Sequence, residues 1–91
     1  MGLTELRDEI ADIDRQIIEL INRRIAAAEE IGHIKRAQNL PIINEAVEAK
    51  VIERYTSVSE STGLSEAFLE KIARALIQEA VDHELAIPPA D

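Results

Sequence analysis

Apolar residues recur along the first forty positions at steps of mostly three and four: Leu6, Ile10, Ile13, Ile17, Leu20, Ala27 and Ala28, Ile31 and Ile34. That period belongs to one face of an α-helix, and nothing in it alternates as a strand would. Thr4 offers an N-cap and no proline intervenes, so a helix is predicted over about 4–38. Gly32 interrupts the pattern at a cost of about 1 kcal/mol relative to Ala, which points to close approach of another backbone. Pro41 disfavours helix at Leu40, and Asn44 can cap a second helix over about 45–62. Val47, Val51, Tyr55 and Val58 form its inner stripe, and Gly63 stops it. Ser65 caps a third helix running to about residue 85, with Phe68, Leu69, Ile72, Leu76 and Ala80 inward. Pro88 and Pro89 end it, and a tail over 86–91 is expected to fray. The pattern predicts one all-α domain over residues 1–91, three helices with a long first one and no internal repeat.

The first helix makes a geometric demand. Some 35 residues at 1.5 Å each give a rod of about 50 Å. A compact chain of this size has a radius of gyration near 12 Å, hence a diameter of about 31 Å. A kink at Gly32 or a second chain must resolve the mismatch. The apolar stripe persists along the whole rod, which favours an intertwined helical homodimer.

Composition narrows the chemistry. Tyr55 and Phe68 are the sole aromatic residues, so the core is aliphatic. Cysteine is absent, which removes disulfides, thiolate metal sites and thiol nucleophiles. The N-terminus lacks the basic and apolar regions of a secretory signal, and no apolar run reaches the roughly 18 residues of a membrane span. A soluble, cytoplasmic protein is expected. The net charge of −8 argues against nucleic acid or an acidic membrane as partner. An anionic ligand would have to be held by a local cluster working against that field.

Two cations stand on the apolar line of the first helix. On a wheel of about 100° per residue Arg24 lies on the centre line and Lys35 about 20° from it. Eleven residues separate them, close to three turns and about 16 Å. Arg24 is flanked at helical spacing by Leu20, Ile21, Ala27 and Ala28, and Lys35 by Ile31, Gly32, Gln38 and Asn39, so neither has an acidic helical partner. A buried ion pair or a snorkelling side chain would account for them. A ligand-binding role accounts for them better, because buried unpaired cations are costly and mark functional sites. Arg15, Arg23 and Arg36 point away and read as surface charge. So, taken alone, does Arg7, about 25 Å from Arg24 along the axis, although in an antiparallel dimer it could approach the other chain's site. Glu48 and Glu84 lie at the edges of their stripes, where wheel position alone slightly favours solvated carboxylates. His33 faces outward, and the helix dipole explains His83 near a C-terminus. Neither a metal site, a Gly-rich phosphate loop nor a Ser/His/Asp arrangement is supported by spacing.

The order LRDEIADIDRQIIELINRR, then AAAEEIGHIKR, then LPIIN and a glutamate resembles the all-α class of chorismate mutases over about residues 3–85. The motifs are specific in combination: L-R-x-x-I-x-x-I-D, an arginine before a small-residue helical segment, I-G-x-x-K, and P-I after a short loop. The resemblance implies an intertwined dimer with two equivalent sites and the [3,3] rearrangement of chorismate to prephenate, on the route to phenylalanine and tyrosine. Such a pericyclic step needs no nucleophile, metal or cofactor. It needs the dianion held folded and charge placed where the ether oxygen becomes negative.

By resemblance, Arg24 binds a substrate carboxylate, and Lys35 binds the ether oxygen and a carboxylate. Arg7 reaches the other carboxylate from the partner chain. Glu48 accepts the ring hydroxyl with help from the loop at Asn44, and Glu84 sits beside the ether oxygen. The chain departs from the family pattern at three places. Val47 stands where many members have arginine, Ala80 where some bacterial members have serine, and Glu84 where they have glutamine, although fungal members have glutamate there. Isochorismate–pyruvate lyase, which shares this fold, is the nearest alternative enzyme. A non-catalytic helical dimerisation or regulatory module is the alternative from another class.

Overall fold

The computed structural model describes residues 1–90, and Asp91, the end of the tail expected to fray, lies outside them. The long helix α1 spans Leu3–Ala37 without interruption at Gly32. Its N-cap is Gly2, in extended conformation, and the Glu5 carboxylate accepts from the Gly2 backbone N–H. Thr4, the expected cap, sits inside the first turn. At the other end Asn39 adopts a left-handed φ of 55°. The Leu40 N–H reaches the Lys35 carbonyl at 2.8 Å and the Asn39 N–H the Arg36 carbonyl at 3.3 Å. This paired closure is a Schellman motif, with asparagine in the role glycine usually takes. Pro41 then keeps the chain extended toward the next helix.

Asn44 caps α2, Glu45–Thr56, by accepting from the Val47 N–H at 3.2 Å. The single helix expected over 45–62 is broken. A one-turn helix α3, Ser59–Thr62, follows α2 after a turn at Ser57 and Val58. The cause is the run Thr56-Ser57-Val58-Ser59. The Thr56 hydroxyl donates to the Ile52 carbonyl at 3.1 Å and the Ser57 hydroxyl to the Arg54 carbonyl at 3.0 Å. Such side chains compete with the backbone for helical carbonyls, and β-branching adds a weak helix preference. Gly63, at φ 77°, turns the chain, and Ser65 caps α4, Glu66–Leu85, through the Phe68 N–H. No strand occurs among the described residues.

Helix α4 packs against both α1 and α2. Its buried face is Leu69, Ala73, Ala80 and Glu84, with Ala73 wholly inaccessible. This differs from the expected stripe, because Phe68 and Ile72 are left exposed. Alanine lets the helices approach closely, so the small residues are inside and the larger ones are displaced to the flank. Ile25 and Ala28 of α1 meet Ala80 in the core. Just beyond α4 the Arg36 guanidinium donates to the Ile87 carbonyl at 3.0 Å and reaches the Leu85 carbonyl at 3.5 Å, which holds the first two residues of the tail expected to fray. Those bonds satisfy carbonyls that the end of α4 leaves free.

Almost nothing in the chain covers the N-terminal half of α1. Leu6, Ile10, Ile13, Ile17 and Leu20 are all exposed. The molecule measures 59 × 26 × 14 Å with a radius of gyration of 16.6 Å, against about 12 Å for a compact chain of this length. Its accessible surface is 7031 Å², whereas a compact monomer of this mass exposes about 5,300 Å². No helix among the described residues is long and apolar enough to cross a membrane.

Candidate active site

A cavity of about 350 Å³ opens between the C-terminal half of α1, one face of α2 from Val47 to Arg54, and the C-terminal half of α4. That volume falls within the roughly 300–1,000 Å³ of small-molecule sites. Its walls are largely aliphatic, from Ala27, Ala28, Ile31, Ile42, Val51 and Ile77, and five charged residues also line it: Arg24, Lys35, Glu48, Arg54 and Glu84.

Lys35 and Glu84 form its polar centre. The Lys35 ammonium donates to Glu84 Oε1 at 3.1 Å and to the Ile42 carbonyl at 2.8 Å. An ammonium has three donors, so one remains for a ligand. The Schellman closure of α1 returns the chain past Lys35 and brings the Ile42 carbonyl within reach. Gly32 brings Glu84 there. A β-carbon built on Gly32 would lie 2.9 Å from Glu84 Cγ, 3.2 Å from Glu84 Cβ and 2.7 Å from Ile87 Cδ1. The close approach anticipated at this glycine is therefore made by the stem of Glu84. That residue is 6% exposed. The preference for a solvated edge carboxylate is overturned at position 84, because three small residues, Gly32, Ala28 and Ala80, let α4 settle onto α1 there.

Arg24 is half-buried and lines the cavity, and its guanidinium has no ion-pair or hydrogen-bond partner among the described residues. Lys35 differs: its carboxylate partner lies 49 residues away, beyond any helical spacing rule. Glu48 is half-buried at the wall, without an ion-pair partner among the described residues. Asn44 lines the cavity while its side-chain oxygen caps α2, and Ala80 contributes a methyl wall. Val47 lines the cavity too, without charge. Arg7 is exposed near the start of α1 and is not brought to this cavity within one chain. Seventeen residues of helix place it about 25 Å from Arg24.

Arg54 is the lining residue that the sequence reading passed over. It follows Val47 by seven residues, two turns, and so lies about 20° from it on the wheel of α2. Its position two turns beyond Val47, on the side of α2 that carries Val47 and Val51, was the available signal. Outside the cavity, His83 is held between two carboxylates, with Nδ1 2.8 Å from Glu29 Oε1 and Nε2 2.8 Å from Glu79 Oε2. Hydrogen bonding to Glu29, then to Glu79, raises its pKa above the ordinary histidine value. Helix-dipole attraction alone, as read from sequence, omits both partners. No group of three or more His, Asp or Glu side chains suited to a metal ion occurs among the described residues.

The arrangement offers three cations, Arg24, Lys35 and Arg54, and two carboxylates, Glu84 buried and Glu48 half-buried, around an otherwise aliphatic cavity. It suits binding and electrostatic stabilisation of a small anion. Comparison with known proteins identifies the family. The family model for chorismate mutase type II matches residues 6–85. The T-protein of Haemophilus influenzae is 28% identical over 83 residues, 91% of this chain and 22% of that protein. A bifunctional chorismate mutase/prephenate dehydratase from Aquifex aeolicus is 44% identical over 52 residues, 57% of this chain and 14% of that protein. The chorismate mutase of Methanocaldococcus jannaschii is 29% identical over 76 residues, 84% of this chain and 77% of that protein. The chain thus spans about a fifth of the T-protein's length but most of the archaeal enzyme's. No solved structure matches significantly. With a model match over most of its length, the chain belongs to the chorismate mutase type II family.

Proposed function

We propose that this chain rearranges chorismate to prephenate, in a homodimer whose two sites each take Arg7 from the partner subunit. The observation that carries this reading is the meeting of Arg24, Lys35 and buried Glu84 around one small aliphatic cavity. In the reaction a C–C bond forms between the enolpyruvyl methylene and the ring while the ether C–O bond breaks, with no proton transferred. Catalysis then comes from holding the folded conformer and stabilising charge on the ether oxygen.

Each residue has a place in that scheme. Arg24 binds one carboxylate through its fork of donors. The free N–H of Lys35 meets the ether oxygen and an adjacent carboxylate oxygen. Glu84, when protonated, donates a second hydrogen bond to the ether oxygen; when ionised, it opposes the developing charge. Glu48 accepts from the ring hydroxyl, beside Asn44, and Ala80 shapes the wall. The uncovered stripe of α1 supports the dimer. The excess of about 1,700 Å² over a compact monomer is of the size that obligate dimers bury from each chain. An antiparallel second copy would cover Leu6 to Leu20 and carry its Arg7 toward the cavity.

The direct test follows chorismate absorbance with the purified chain and identifies the product. Loss of chorismate with formation of prephenate is expected. Unchanged chorismate, or release of salicylate from isochorismate in its place, would refute the assignment.

A further inference from the structure

The charge balance of the cavity depends on α2. With both carboxylates counted as ionised, Arg24 and Lys35 are offset by Glu48 and Glu84, so without another cation the lining is formally neutral, inside a chain of net charge −8. A neutral cavity in an acidic chain gives a dianion no electrostatic reason to enter. Arg54 alters that sum. Three cations against two carboxylates leave the lining at a formal +1, and Arg7 of the partner subunit would bring it to +2, equal and opposite to the substrate.

Three features of Arg54 mark it as uncommitted to the fold. It is exposed, it lines the cavity, and its guanidinium has no ion pair or hydrogen bond to the described residues. Arg15 pairs with Asp12, Arg74 with Glu70, and Arg36 caps α4. Arg54 also stands on the face of α2 that presents Val47 and Val51 to the cavity, two turns beyond the valine that carries no charge. A planar guanidinium on a short helical rod is well suited to grip a carboxylate with two parallel bonds.

Resting on the reading that the cavity takes chorismate, we propose that Arg54 is a substrate-binding residue that holds a carboxylate of the dianion and replaces the cation missing at Val47. It binds substrate and transition state alike, so it lowers KM and leaves kcat nearly unchanged. Its exposure makes its contribution sensitive to salt.

The test is steady-state chorismate kinetics on the wild type, R54Q, R54K, K50Q and the double variant V47R/R54Q. R54Q is expected to raise KM about tenfold with kcat within about twofold, an effect that shrinks in high salt. R54K should recover part of the loss, and V47R/R54Q should recover most of it. Lys50 is exposed on the same helix and does not line the cavity, so K50Q controls for the mean field and should leave KM unchanged. An unchanged KM in R54Q, or an equal rise in K50Q, overturns the assignment of Arg54 while the functional reading stands. Absence of turnover in the wild type overturns that reading, and this inference with it.

Discussion

Replacing Gly32 by alanine tests whether the Lys35–Glu84 pair of the cavity is positioned by a missing side chain. A helix interior ordinarily gains about 1 kcal/mol from such a change. Here the new methyl would stand 2.7 Å from Ile87 Cδ1 and 2.9 Å from Glu84 Cγ, whereas carbon atoms in contact prefer about 3.5–4.0 Å. Ile87 Cδ1 ends a flexible side chain and can swing aside. The Glu84 stem is buried and must retreat by roughly 0.6 Å to restore ordinary contact. A comparable lengthening of the 3.1 Å bond from Lys35 to Glu84 would carry it past normal hydrogen-bond range. Overpacking costs about 1–3 kcal/mol, so the net stability loss should be about 1 kcal/mol, a fall in Tm of about 4–8 °C. Activity should fall further, by about 100-fold in kcat/KM, because small misplacements of a preorganised group are amplified in the rate. Thermal denaturation and chorismate kinetics on one preparation read both quantities. Gly63 supplies the contrast: it has φ 77° and open space around its β-position. G63A should lose about 1 kcal/mol through backbone strain with kcat/KM unchanged. A G32A protein as active as wild type, or stabilised by the helix preference, would refute the reasoning.

Other perturbations separate the roles of the site from the rest of the fold. K35A should lower kcat/KM by about 100-fold or more, as removal of an oxyanion donor does, and near-normal turnover would contradict its role. E84A should lower kcat/KM by about 100-fold, whereas E84Q, which keeps a hydrogen-bond donor and an acceptor beside Lys35, should retain most of the activity; equal losses in the two variants would remove Glu84 from the mechanism. His83 should make stability pH-dependent. Its pKa is raised in the folded chain by Glu29 and Glu79, so its contribution is complete below about pH 6.5 and is lost as pH rises through the elevated value. The component should be absent from H83Q in denaturation scans across neutral and weakly alkaline pH.

The helical periods and caps were legible because they are local. Asn44 and Ser65 cap the helices they were expected to cap, and the loop at Pro41 follows from backbone sterics alone. The break after Thr56 was written in the same local chemistry, as four consecutive Thr, Ser and Val residues, but the apolar spacing from Val51 to Val58 concealed it. The inner face of α4 was misplaced by one residue toward its larger side chains. Interhelical distance decides that question, and alanines set the distance. Arg24 and Lys35 were recognisable because a cation on an apolar stripe is conspicuous on one helix. The partner of Lys35 was not, since Glu84 is 49 residues away and only the contact at Gly32 brings them together. Arg54 was missed for a related reason. It does not interrupt an apolar run, and its relevance depends on where α2 lies against α4.

The composite site is the central claim, and subunit mixing tests it most directly. R7A and R24A homodimers each lack one cation at both sites and should be nearly inactive. Unfolded together in equal amounts and refolded, they form heterodimers in about half the cases. Each heterodimer combines an intact Arg24 with the intact Arg7 of the partner subunit at one of its two sites. Prephenate formation should then return to about a quarter of the wild-type rate, as random two-fold assembly requires. A mixture no more active than its components would contradict a site shared between two chains.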